Sequence, residues 1–189
     1  MANHVTSFIT VEFSSEEALR KYTFDVMQYD VHMGINNKRY DEKLHMLCVN
    51  YLAHLVEGPF DDSATGFINN FGSKWLFFDD VDFDQNEIYI HMQSAWSPTI
   101  KLFELMFNDI KKHDESATLT ARWEDESFCF VGGAYFCKDG CDWDEYVPSS
   151  DEMNMFESDN DDHDEFYDTM INRVDEIIDS CKSNSQPVE

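Results

Sequence analysis

The side chains with the most chemical potential in this chain are its carboxylates. Between Asp142 and Asp179 stand fifteen acidic residues and one basic residue, Arg173. Carboxylates at this density can hold a divalent cation, move protons, or fill a cationic groove. The spacing of Asp80, Asp82 and Asp84 matches the opening of a calcium loop. Such a loop needs Gly at its sixth position and a bidentate Glu at its twelfth, where this chain has Gln85 and His91. The run Asp159, Asp161, Asp162, Asp164, Glu165 also lacks the glycine. The first set is better explained as the solvated face of a strand, and the second as a diffuse, weak attractor of cations.

Cys129, Cys137 and Cys141 are spaced C-x7-C-x3-C, without the close pair that structural zinc prefers. Together with Cys48 and Cys181 they make an odd count of five, which reads as buried free thiols in a reducing compartment. There is no glycine-rich phosphate loop, no nucleophile elbow and no paired-histidine metalloprotease motif. The residues therefore name no catalytic group, no metal ligand and no cofactor, and the expectation is a protein that is not an enzyme.

Charge narrows the partners. Among 189 residues, 39 acids against 13 bases leave a net charge of −26. Binding to a phosphate backbone needs Lys and Arg to displace counterions, and an anionic membrane surface needs the same. Direct nucleic-acid and membrane binding are thus disfavoured, and a basic protein is favoured. Acidity that only keeps the chain soluble is the plainer account. Met1 leads into a polar Asn3-His4 start without a signal-peptide pattern. No apolar run approaches the roughly 20 residues that span a bilayer, so the expected location is cytoplasmic.

The elements that must position these groups follow from periodicity. Residues 5–13 alternate as a strand. Ser14 and Glu17 have capping-box spacing ahead of Ala18, Leu19, Tyr22 and Val26. Gly34 to Lys38 is a loop, and Asp41 caps a second helix carrying Leu44, Leu47, Cys48, Tyr51, Leu52 and Leu55. Residues 60–70 are a loop. Strands over 75–83 and 87–94 form a hairpin around Gln85-Asn86. Ser97 caps a helix with Pro98 in its first position. Residues 117–124 and 127–136 form a second hairpin with a tight Asp125-Glu126 turn. Gly132-Gly133 marks a bulge or a close backbone approach, and 138–140 a turn.

This pattern predicts an α+β chain. Its ferredoxin-like β-α-β-β-α-β core has an extra helix and strand, and an acidic C-terminal helical appendage follows. The division expected is 1–141 for the domain and 142–189 for the extension. Phe166, Tyr167, Met170, Ile171, Val174, Ile177, Ile178 and Cys181 recur at helical spacing, which places an amphipathic helix over about 161–181. Its apolar side must cover this domain's sheet, a second copy or a partner.

Three segments resemble the YubB-like family of phages and plasmids. They are Asn3-His4-Val5-Thr6, then Asn70-Phe71-Gly72-Ser73-Lys74-Trp75, where the family has Asn-Trp-Gly-Thr-Lys-Trp, and Ser94-Ala95-Trp96-Ser97-Pro98, where it has Thr-Ala-Trp-Ser-Pro. The likeness covers roughly residues 1–141. It implies a ferredoxin-like domain, a mobile-element origin and the cytoplasm of a bacterial host, and it brings no activity with it.

Two candidate sites result. The first is an acidic surface made by Asp142, Asp144, Glu145, Asp151, Glu152, Glu157, Asp159, Asp161, Asp162, Asp164 and Glu165, with Phe166 and Tyr167 as aromatic anchors. It would imitate nucleic acid and mask a basic host protein, either a nucleic-acid-binding protein or a defence effector. The second is a pocket at Lys74, Trp75, Trp96 and Ser97 for a nucleotide or small anionic ligand. Its plainer reading is two core tryptophans, a helix cap and a glycine of unusual φ at Gly72. A third possibility is a homodimer paired through the C-terminal helix.

Overall fold

Alternation along the first strand puts Val5, Ser7, Ile9, Val11 and Phe13 on one face, and this strand becomes the centre of the sheet. The computed structural model describes residues 3–28, 42–156 and 162–185. The elements are β1 (His4–Glu12), α1 (Glu16–Asp25), α2 (Glu42–Leu55), α3 (Ala64–Phe71), β2 (Leu76–Asp84), β3 (Glu87–Ala95), α4 (Ile100–His113), β4 (Thr118–Asp125), β5 (Val131–Cys137), β6 (Gly140–Tyr146), α5 (Ser150–Phe156) and α6 (Asp162–Asn184). The six strands form one antiparallel sheet in the order β2-β3-β1-β4-β5-β6. No helix among the described residues is long and apolar enough to cross a membrane.

The main core joins one sheet face to α1, α2 and α4. Ile9, Ile90, Leu119 and Phe136 from the strands meet Leu19, Tyr51, Phe103 and Met106 from the helices. α3 packs beside α4, and Lys101 Nζ donates to the carbonyl of Asn69. Among the described residues, the second face is covered at its β5–β6 end, by α6.

Several local expectations are corrected. α1 is capped by Ser15, whose hydroxyl accepts from Ala18 N at 3.2 Å. Ser14 instead gives its N–H and its O–H to Asp114 Oδ2, both at 2.7 Å. Residues 64–70, read as loop, belong to a helix that ends at Phe71. Ser63 accepts from Gly66 N, and Gly72 closes the helix at φ 81°, a left-handed conformation that glycine adopts freely. α4 starts at Ile100 with Thr99 before it, not with Ser97 as cap and Pro98 in its first turn. In the β2–β3 turn Gln85 takes the positive φ, while Asn86 accepts from Phe13 N through its carbonyl and donates from Nδ2 to the Phe13 carbonyl. The Asp125-Glu126 turn is a wider loop, held by Asp125 Oδ2 accepting from Ser127 N and Cys129 N. The expected loop at Gly34–Lys38 and the Asp41 cap lie outside the described residues.

The largest correction concerns the chain after Cys137. Residues 140–146 are a strand, paired with β5 from Cys137↔Gly140 to Val131↔Tyr146. A boundary after residue 141 therefore cuts through a hairpin. Acidic residues mark both edges of the sheet: Asp80, Asp82 and Asp84 on β2, and Asp142, Asp144 and Glu145 on β6. Charged edges resist pairing with strands of other chains, which is a structural reason for part of the acidity.

Candidate interaction surface

The geometry of α6 begins with its own periodicity. Phe166, Met170, Val174, Ile178 and Cys181 are buried along one side of the helix. They meet Phe128 and Val131 in a second small core, flanked by Tyr146, Met153 and Tyr167. Gly132 and Gly133 make this two-sided arrangement possible. Gly132 lies against the Trp123 ring on the main-core side, and Gly133 lies under Ile178 on the α6 side. The pair marks a close approach on both faces, and its register with β4 is unbroken.

Polar contacts pin the helix at its margins. Arg122 Nη1 reaches Asp175 Oδ1 at 2.7 Å, and Asn184 Nδ2 donates to Asp142 Oδ2 at 2.7 Å. Arg173 sits over the Tyr146 ring and bonds Glu176 at 2.9 Å. Lys182 lies 5.9 Å from the centre of the Tyr135 ring.

The acids expected to bind a partner thus divide. Glu152 is committed to its own helix. It accepts from Ser149 N and Oγ and from Tyr146 OH, and its N–H donates to Ser149 Oγ. The Ser149 bonds, helped by Tyr146, hold its carboxyl below the usual range. Asp142 is half-buried and bonded to Asn184. Asp144, Glu145, Asp151, Asp164 and Glu165 are exposed, and Asp168, Glu176 and Asp179 join them. Desolvation nonetheless pushes the Glu145 carboxyl up. Among the described residues no cation pairs with Asp164, Glu165, Asp168 or Asp179. Glu157, Asp159 and Asp161 lie outside the described residues. Asp162 opens α6, with its side chain outside them too.

The two anchors are placed differently. Phe166 is 1% exposed, so it serves the core beneath α6. Tyr167 packs edge-on against Phe128 at 4.7 Å. Of the three covers expected for the apolar side of α6, the chain's own sheet takes Phe166, Met170, Val174 and Ile178, and Ile171 stays exposed.

What remains on the outside of α6 is a row of carboxylates. Glu165, Asp168, Glu176 and Asp179 follow the helical repeat with Asn172 between, at about 5 Å of rise per step of three or four residues. Like charges at this spacing repel and weaken a free helix by a few tenths of a kcal/mol per pair. Burial of the opposite side offsets that repulsion and fixes the row in place.

The second candidate site also assembles. Lys74 Nζ stands 5.4 Å over the exposed Trp96 ring, and Trp96 has φ 66°. Ala95 N donates to Ser73 Oγ at 2.9 Å, and Trp96 N donates to Asn3 O at 2.9 Å. The half-buried Trp75 takes His4 edge-on at 5.0 Å and stacks with Phe77. Ser97 accepts from Ser94 Oγ through its carbonyl. The three motif segments, far apart in sequence, therefore meet at one end of β1, β2 and β3. They build a shelf with one tryptophan exposed and one half-buried, in place of two core tryptophans.

One polar cluster was not legible in sequence. Tyr22 OH and Tyr51 OH are 2.8 Å apart, and Tyr22 OH donates to the buried Asp109 Oδ2 at 3.1 Å. His54 Nε2 lies 3.2 Å from the same oxygen, and Lys112 Nζ 3.5 Å from Oδ1. Burial pushes both tyrosines well above their ordinary pKa. Neither phenol is open to a substrate, so this knot ties α1, α2 and α4 together.

The cysteines match the expectation of buried free thiols only in part. Cys48 and Cys181 are buried, Cys137 is partly so, and Cys129 and Cys141 are exposed. Burial pushes the Cys48 thiol up to about 12 and that of Cys181 to about 11. Among the described residues no three metal-binding side chains are grouped to hold an ion. Compared with protein-family models, curated proteins and solved structures, the chain matches none.

Proposed function

We propose that this protein is a non-catalytic binding protein whose acidic α6–β6 surface docks on a basic site of a host protein, in the place of nucleic acid. The observation that carries this reading is the seating of α6. Its apolar side is held by the second core, and its outer side presents Glu165, Asp168 and Asp179 without cations among the described residues. A carboxylate row on a fixed helix can match a cationic groove at lower entropic cost than a mobile tail. The target class is a nucleic-acid-binding protein or a defence effector in the cytoplasm of a bacterial host. Two further points support a phage or plasmid origin in a YubB-like, ferredoxin-like lineage: the convergence of the motif segments, and the strand order β2-β3-β1-β4 within the sheet.

The test uses the full chain on a matrix with bacterial lysate, beside a variant carrying Glu165→Gln, Asp168→Asn and Asp179→Asn. A nucleic-acid-binding or defence protein should be retained by the first, released by salt and lost from the second. Equal retention by both would refute the reading.

A second reading rests on the Lys74–Trp96 contact. A cation over an exposed indole offers stacking and charge to a nucleotide or a small anionic ligand. Nucleotides should then raise the melting temperature of the native chain and leave that of Lys74→Ala unchanged.

A further inference from the structure

The acidic helix does not cover the whole of its sheet face. Between α6 and the open strands β1 and β4 runs a groove of about 310 Å³. Phe8, Phe128, Met170, Ile171 and Val174 give it apolar walls, and Glu124 is also part of its lining. Phe8 and Ile171 are 46% and 52% exposed, high for large apolar side chains beside a formed core. The volume is at the low end for ligand pockets and suits one or two side chains.

The charges on the groove are one-sided. Arg122 lines it but is tied to Asp175. Asp168 and Asp175 flank Ile171 at helical spacing, on the same side of α6. The Glu124 carboxylate has no hydrogen bond or ion pair among the described residues, and desolvation pushes it up. A half-buried carboxylate in an apolar trough is stabilised by an incoming cation, because pairing offsets its lost hydration.

We propose that this groove seats an amphipathic basic helix of a protein partner. One aliphatic or aromatic side chain enters between Phe8 and Ile171, and a Lys or Arg on the same helix face pairs with Glu124. The proposal rests on the basic-partner reading above and adds where the partner is anchored. Charge complementarity selects this occupant. A second copy would bring another −26 against the same acids, and a nucleic acid would bring phosphates.

The test measures binding of two fluorescent 18-residue peptides to the full chain at low salt. One is a Leu/Lys sequence patterned as an amphipathic helix. The other has the same lysine count with glycine and serine in place of leucine. The patterned peptide should bind more tightly, and Phe8→Ala, Ile171→Gln and Glu124→Gln should each weaken it by about tenfold, the scale of one lost anchor. The unpatterned peptide should respond to Glu165→Gln/Asp168→Asn and not to Phe8→Ala or Ile171→Gln. Ile171 is exposed, so its variant keeps the test usable if Phe8→Ala perturbs the fold. Equal binding of both peptides, or a patterned peptide indifferent to all three groove variants, would overturn the groove while leaving the acidic surface standing. Failure of both peptides to bind would overturn both readings.

Discussion

Gly133 lies directly beneath Ile178: a Cβ on the glycine would fall 2.6 Å from Ile178 Cγ1. The strand behind α6 is thus stripped of a side chain where the helix crosses it. Its neighbour Gly132 does the same for the Trp123 ring, 2.5 Å from where its Cβ would stand. Substitution at Gly133 tests whether α6 is seated there, and substitution at Gly132 gives the main-core comparison. Gly132→Ala should destabilise the protein by about 1–3 kcal/mol, the usual cost of overpacking a filled core. Gly133→Ala should cost less, because Ile178 can shift with its helix. Urea titrations of the two variants give the comparison, and Gly133→Val should exceed Gly133→Ala.

Removal of α6 follows from the same contact. A chain ending at Tyr146 exposes Phe128, Val131 and the bare face of β5. It is expected to aggregate or lose cooperative unfolding, rather than remain a soluble core. Gel filtration and thermal melting check this; a monomeric 1–146 that melts like the full chain would show that α6 is dispensable to the fold.

The tyrosine–aspartate knot sets an alkaline limit. Tyr22 and Tyr51 keep their protons in the folded state well above pH 10, whereas in the unfolded chain they lose them near 10. Their contribution is full below that value and is lost as pH rises through the folded pKa. Stability should fall above about pH 10, and less steeply in Tyr22→Phe. At neutral pH that variant loses a hydrogen bond to Asp109 and should be weaker by about 1–3 kcal/mol.

Asp114 sets an opposite limit. Burial raises its pKa, but hydrogen bonds from Ser14 and Ser116 outweigh that and leave it lowered. Its contribution is present above the unfolded value, about 3.9, and is lost as pH falls through the folded one. Asp114→Asn should cost about 1.5–3 kcal/mol at pH 7 and flatten the acid limb of the stability curve, read by denaturant titration from pH 2 to pH 7.

How far the sequence could be read depended on which contacts are local. Alternation exposed β1 and the β2–β3 hairpin, and the stripe Ile100, Phe103, Met106, Phe107, Ile110 exposed α4, because one buried face imposes a period. α3 was missed since its eight residues include Gly66 and two asparagines, poor helix formers. Its usable signals were the Ser63 cap and Gly72. β6 was missed because three of its seven residues are acids and it lacks a buried alternating face, its pairing being set by the hairpin register with β5. Exposed acids looked like a tail when they belonged to a sheet. The shelf at Trp96 was partly legible from motif positions, while Tyr22 and Asp109, 87 residues apart, meet only through tertiary packing.

The most direct measurement takes the protein captured on the native chain and loads it with a fluorescent DNA duplex. Adding the native chain should release the duplex in a saturable way. The Glu165→Gln/Asp168→Asn/Asp179→Asn variant, equally well folded by thermal melting, should need at least tenfold more protein to do so, the scale of about 1.4 kcal/mol. Equal release by the two chains, or a ternary complex in which duplex and native chain stay bound together, would contradict the claim that the outer face of α6 takes the place of nucleic acid.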